Sequence, residues 1–228
     1  MTRLRTAPEK QARKLLDKVE ALAAPHGLMA MGGAHTDIDQ KPQTVVLVGT
    51  APEFWDHFIQ SHEHSDGLAD PIDRWSQRIL PQIMEAAGGI AVVYPFGGPP
   101  YAPFISWAKK TGEAFDSPTG MLVHIRAGLM ISYRGGIVFA GRQPLPAQRP
   151  QNPCDSCVGR PCIPACPVNA LSDQHFYDVP TCKTYINSAA GAGCVTNGCA
   201  TRLACPISQT FGRPQAQSAA HMHVFKGV

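Results

Sequence analysis

Apolar positions along the first part of the chain follow two periods. Ala12, Leu15, Leu16, Val19, Leu22 and Ala23 recur at helical spacing and stop before Pro25, which predicts an amphipathic helix. Ahead of them Thr6-Ala-Pro-Glu9 has the form of a capping box, in which hydroxyl and carboxylate each satisfy a free helical N–H. His26-Gly27 closes this helix, and Leu28 to Gly32 starts a strand. Thr44 to Val48 is an apolar, β-branched run of strand length ended by Gly49. Further on, the pattern predicts helices over 53–60 and 72–87, a buried strand over 90–94 and a short helix over 103–110. Strands are predicted over 121–126 and 130–140. Asp70 is placed to cap the second long helix, Pro71 to fill its first turn and Trp75 to anchor its inner face. Tyr133-Arg134-Gly135-Gly136 reads as the turn or bulge of a hairpin.

Helices alternating with apolar strands argue for an α/β layer over residues 1–141. Prolines at 144, 146, 150 and 153 and little apolar periodicity mark 142–153 as a linker to a smaller domain over 154–228. The expected fold class is therefore mixed, α+β or α/β, with a small second domain. A length of 228 residues is enough to bury a sizeable core. A formal net charge of +3 with mixed signs gives no electrostatic footprint for a nucleic-acid partner. The opening residues carry no apolar export core, and no apolar run reaches the roughly 18 residues of a membrane span. A cytoplasmic protein without a membrane partner is the expectation.

Cysteine changes the picture most. All eight lie in the last third of the chain, at 154, 157, 162, 166, 182, 194, 199 and 205. The first run reads C-x2-C-x4-C-x3-C-P and the second C-x11-C-x4-C-x5-C-P. Two runs each closed by Cys-Pro suggest two 4Fe–4S clusters, with the cysteine before the proline crossing to the other cluster. Applied here, one cluster takes Cys154, Cys157, Cys162 and Cys205, and the other takes Cys182, Cys194, Cys199 and Cys166. Pro167 and Pro206 suit the first turn of a following helix. Gly191, Gly193 and Gly198 would let the backbone turn tightly around the second cluster. The loose second run leaves room for a single cluster with four spare cysteines. Four-thiolate zinc sites in a structural or interaction protein, and disulfides, also stay open.

At these residues the sequence resembles the iron–sulfur part of epoxyqueuosine reductase and its relatives, the reductive dehalogenases among them. The shared pattern is a first run ending Cys166-Pro167, an isolated Cys182 followed by Lys-Thr-Tyr-Ile, and a second run ending Cys205-Pro206. Upstream, the helix leading through His26-Gly27-Leu28 into a strand is similar, as is Ala127-Gly-Leu-Met-Ile-Ser-Tyr-Arg-Gly-Gly-Ile-Val-Phe139. Met130 stands where that pattern has glycine. Short bacterial ferredoxin-like proteins of this length are similar too. The resemblance implies a nitroreductase-like α/β domain, which in that family holds cobalamin, followed by a small two-cluster ferredoxin-like domain. The helical-repeat extension used with a tRNA substrate is not expected, since the chain ends soon after the second run. No residue matches the family's catalytic acid.

The reading is an iron–sulfur electron-transfer protein, passing electrons to a redox partner protein, a small-molecule acceptor or a cofactor in its own N-terminal domain. Its enzymatic alternative is a cobalamin-dependent reductase, an oxidoreductase whose catalytic residues the sequence does not assign. Pro95-Phe-Gly97-Gly98-Pro-Pro-Tyr101 lies between a strand and a helix, where an anionic cofactor group could meet backbone amides, or where prolines form a rigid turn. Arg134 could face such an anion. Tyr101, Tyr133 and His124 are candidate proton donors. His57, His62 and His64 near Asp66, Asp70 and Asp73 read either as a metal set or as a solvated loop.

Overall fold

The computed structural model describes residues 7–147, 151–172 and 177–227. The capping box falls partly on Thr6, outside the described residues. In chain order, α1 (Ala7–Ala23) and a 3-10 turn lead into β1 (Leu28–Ile38) and β2 (Lys41–Thr50). Then come α2 (Phe54–Ile59), α3 (His62–Ser65), α4 (Pro71–Ala87), β3 (Ala91–Val93) and α5 (Phe104–Lys110). Three strands follow, β4 (Ala114–Asp116), β5 (Leu122–His124) and β6 (Tyr133–Ala140). The rest is helical: α6 (Val179–Ile186), α7 (Ala192–Asn197), α8 (Ala200–Ala204), α9 (Pro206–Phe211) and α10 (Gln215–Lys226). The fold is mixed α/β, and no helix of the described residues is long and apolar enough to cross a membrane.

Two compact units result. The first comprises 1–113 and 132–150, and the second 114–131 and 151–228. In the first, four antiparallel strands lie in the order β1-β2-β6-β3. β1 turns into β2 through Asp39 and Gln40, both at positive φ, the geometry of a tight hairpin turn that follows strand twist. Strand alternation sends Leu28, Ala30, Val46, Val48, Ile137 and Phe139 into one core with Leu16 and Val19 of α1 and Ile79, Leu80 and Ile83 of α4. Phe54 joins that core fully buried, stacked on Phe58 at 5.6 Å and edge-on to Trp75 at 5.1 Å. On β1 the Trp107 indole N–H of α5 donates to Thr36 at 3.0 Å.

Several expectations change at this level. Residues 90–94, expected as a buried strand, form only the short strand β3 at one edge of the sheet, half-exposed along its length, with Ile90 ahead of it 55% exposed. Asp70 makes no side-chain cap to α4 and instead sits in the left-handed region ahead of Pro71. Residues 143–145, expected in the linker, are packed on the sheet. Gln143 N–H donates to Thr44 Oγ1 at 2.8 Å, and Leu145 lies against the core. Residues 114–131, expected in the N-terminal domain, cluster with the cysteine region. The physical reason is apolar cover, since Phe115, Met121, Val123 and Leu129 pack with Cys162 and Cys205. Of the turn or bulge expected at Tyr133–Gly136, β6 has a bulge: Val48 pairs with Gly135 and Gly49 with Tyr133, leaving Arg134 as the extra residue.

The loop before α4 is locked by paired charges. Arg78 holds Glu63 through contacts of 2.5 and 2.9 Å, and Arg74 holds Asp66 through two of 2.7 Å. The Arg78 hydrogen bond draws the Glu63 carboxyl from 4.5 down to about 2. A carboxyl depressed in the folded state stabilises the fold above its unfolded value, and that contribution fades as pH falls from about 4.5 toward about 2. Glu63→Gln is expected to flatten the loss of stability in this acid window while leaving the profile near neutral pH unaltered in shape, checked by urea unfolding from the acid window up to neutral pH.

Candidate metal centre

The cysteines of the first run sit in or beside turns of the backbone. In the first run Cys154 N–H donates to Asn152 Oδ1 at 3.0 Å and Cys157 N–H to Cys154 O at 3.4 Å. Arg160, in the left-handed region, turns the chain so that Ile163 N–H meets its carbonyl at 3.0 Å. The segment after Cys166-Pro167 is a turn rather than the expected helix. Asn169 adopts positive φ and donates to Cys166 O at 3.1 Å, while Ala170 N–H goes to Cys166 Sγ at 3.2 Å. A helix would have sent that N–H to the Cys166 carbonyl. Behind Cys205 the expectation holds, with Pro206 at the first position of α9.

Cys182 lies within α6, whose start is capped by Asp178 accepting from Thr181 N–H at 3.0 Å. Cys194 is inside α7, and Cys199 and Cys205 occupy the cap positions opening α8 and α9. Of the three glycines expected to ease this region, Gly198 has φ 104, which favours glycine, and Gly191 is pressed against the Tyr185 carbonyl. Gly193 is helical with open space around it, so it meets neither need.

The thiols fall into two neighbourhoods. Burial first, and then Cys162, Cys205 and Cys157, push Cys154 up to about 11. Cys162 is raised by burial and by Cys205 and Cys157, against main-chain N–H groups that pull it down. In the other neighbourhood, burial raises Cys182, with Cys199 and Cys166 adding to it against the Tyr177 hydroxyl. Burial raises Cys194 as well, with Cys199, Cys166 and Cys182 as neighbours. The groups are thus Cys154, Cys157, Cys162, Cys205 and Cys166, Cys182, Cys194, Cys199. Among the described residues no set of three His, Cys, Asp or Glu side chains already stands in ligating positions. They are neighbourhoods of free thiols.

The segment Ala127–Met130 is gripped by this unit. Leu129 N–H donates to Ser208 Oγ at 2.9 Å, Arg202 donates to Leu129 O at 2.9 Å, and Arg213 donates to Met130 O. These arginines and Ser208 were not singled out from sequence; their signal is only proximity to Cys199 and Cys205. Gly128 explains the motif it belongs to. Its φ is +57, and a Cβ there would lie 2.5 Å from the Ser208 nitrogen.

The other candidates are placed as follows. Arg134 is 11% exposed, donates from Nε to Tyr133 O at 2.9 Å and pairs with Asp73 at 3.2 Å. Its guanidinium lies 5.5 Å over the Phe96 ring, next to Gly97, so Asp73 and an aromatic face occupy the cation. Space around Gly97 is open, Gly98 lies close to Tyr101 and Pro100, and α5 starts only at Phe104. Helix amides therefore do not follow directly on the glycine turn. Tyr101 is 65% exposed, whereas the Tyr133 hydroxyl is buried without a hydrogen-bond partner among the described residues. His124, in the second unit, is fully buried and its Nδ1 accepts the Arg126 N–H at 3.1 Å, a turn clasp. The His57–Asp73 group forms no metal set, since arginines take Asp66 and Asp73 and His64 packs edge-on against Phe58.

No protein-family model matches this sequence, and no curated protein does.

Gly128→Ala would force a left-handed alanine into backbone, and the expected cost is about 2 kcal/mol or more. A lower urea midpoint for the variant chain checks it, and Gly193→Ala, at an open helical position, serves as the mild control.

Proposed function

We propose that this chain is an iron–sulfur electron-transfer protein binding two 4Fe–4S clusters. One would rest on Cys154, Cys157, Cys162 and Cys205, the other on Cys166, Cys182, Cys194 and Cys199. The observation that carries the reading is the exchange of the fourth thiol. Cys205, far along the chain, neighbours Cys154 and Cys162, while Cys166 leaves its own run to neighbour Cys182 and Cys194. Two-cluster ferredoxins exchange ligands in this way.

The residues present suit such a group. Eight soft sulfurs are available, apolar side chains cover the first neighbourhood, and N–H donors reach the sulfurs of Cys166 and Cys194. Bound clusters would supply one-electron chemistry. Apolar cover around Cys162 and Cys205 opposes added negative charge and lowers potential, and hydrogen bonds to sulfur act the other way. Ligation takes the proton from each thiol, so assembly would release protons from groups that burial holds protonated.

The finer architecture, a nitroreductase-like domain followed by a small ferredoxin-like one, belongs to the same proposal and rests on the resemblance. Antiparallel β1-β2-β6-β3 with α1 and α4 on one face is compatible with it. The electrons would pass to a redox partner protein or a small-molecule acceptor in a reducing cytoplasm. No residue described above is assigned to cobalamin or to a catalytic step.

Anaerobic purification with iron and acid-labile sulfide counts tests the reading. About eight of each per chain is expected, with a broad absorption band at roughly 400 nm that dithionite bleaches. Cys205→Ala and Cys166→Ala should each lower both counts to about four, by loss of one cluster. Zinc without sulfide would overturn the proposal.

A further inference from the structure

The two thiol neighbourhoods differ in the donors that reach their sulfurs. Tyr177 Oη donates to Cys182 Sγ at 3.5 Å, within the longer reach of a sulfur acceptor. In the same group Ala170 N–H donates to Cys166 Sγ at 3.2 Å, and Ala200 N–H bonds Cys194. In the other group the main-chain donors converge on Cys162. The tyrosine is also built into place. Its ring stacks on Phe225 of α10 at 6.0 Å and 25°, and Lys183 of α6 lies 4.9 Å over the same Phe225 ring. One residue on, Asp178 caps α6 and so fixes the backbone between Tyr177 and Cys182.

A hydrogen bond to a ligating sulfur stabilises the more negative, reduced form of a cluster and so raises its potential. We propose that Tyr177 is a positioning and tuning residue that makes the Cys166, Cys182, Cys194, Cys199 group the higher-potential of the two. The inference rests on the two-cluster reading. When a dithionite titration delivers electrons one at a time, this cluster is the first reduced, and Phe225 is the residue that keeps the hydroxyl aimed at Cys182.

The test is an EPR-monitored dithionite titration of the full-length holoprotein and its variants. Wild type should show two midpoints. Tyr177→Phe keeps the ring and loses the hydroxyl, so the higher midpoint should fall while the lower stays, at undiminished iron and sulfide. Phe225→Leu leaves the hydroxyl but frees the ring, and a smaller fall of the same midpoint is expected. It decides the matter if the first variant loses iron. Both midpoints unmoved in iron-replete variants, or a fall of the lower one, would overturn this inference alone. Wild-type chain without iron and sulfide would overturn the two-cluster reading and this inference together.

Discussion

Crowding thiols into a poorly hydrated space makes each one resist ionisation, and the second unit of this protein is organised around that cost. Burial is the first cause of the raised Cys154, Cys162, Cys182 and Cys194 thiols, and neighbouring sulfurs come next. A thiolate in such company would lose water and face neighbouring negative sulfur at once. Short helices answer the same demand. α8 and α9 last five and six residues and each opens directly after a cysteine, so that Cys199 and Cys205 leave the chain at corners. A long helix could not bend its side chains onto one small volume.

The first unit obeys different rules. Its sheet buries a period-two apolar set beneath α1 and α4, and its irregularities are local and polar. Arg134 is extruded by the β6 bulge, and Asp73 and the Phe96 face receive its charge. Burial lowers the Arg134 guanidinium and raises the Asp73 carboxyl, yet each partner pulls the other back toward its charged form. That pairing turns an expected anion contact into an internal one.

How much of this was legible in the sequence depended on whether the signal was local. The α1 stripe, the β2 run, Trp75 in the core and the bulge at Arg134 all follow from spacing within one element. Sequence reasoning missed what depends on distant partners. β3 looked buried from its apolar run, but strand order makes it an edge. The Ala-Phe-Asp of β4 carries too little pattern to be seen as a strand until β5 pairs with it. Asp70 suggested a cap by type, and the turn geometry before Pro71 overrode it. The Tyr177–Cys182 bond needed α10 to aim the ring, which nothing near residue 177 announces.

The second unit takes residues 114–131 from the middle of the chain as well as everything after 150. Phe115, Val123 and Leu129 come from that early segment and lie against Cys162 and Cys205. The polypeptide therefore visits the two units alternately, and neither is a continuous module. A gene fragment beginning at 151 would encode all eight cysteines yet omit the apolar side chains that cover Cys154, Cys162 and Cys205. Fusion or shuffling at a single junction could not transplant the cysteine unit whole; it would have to travel with β6, the strand of the other unit that interrupts it.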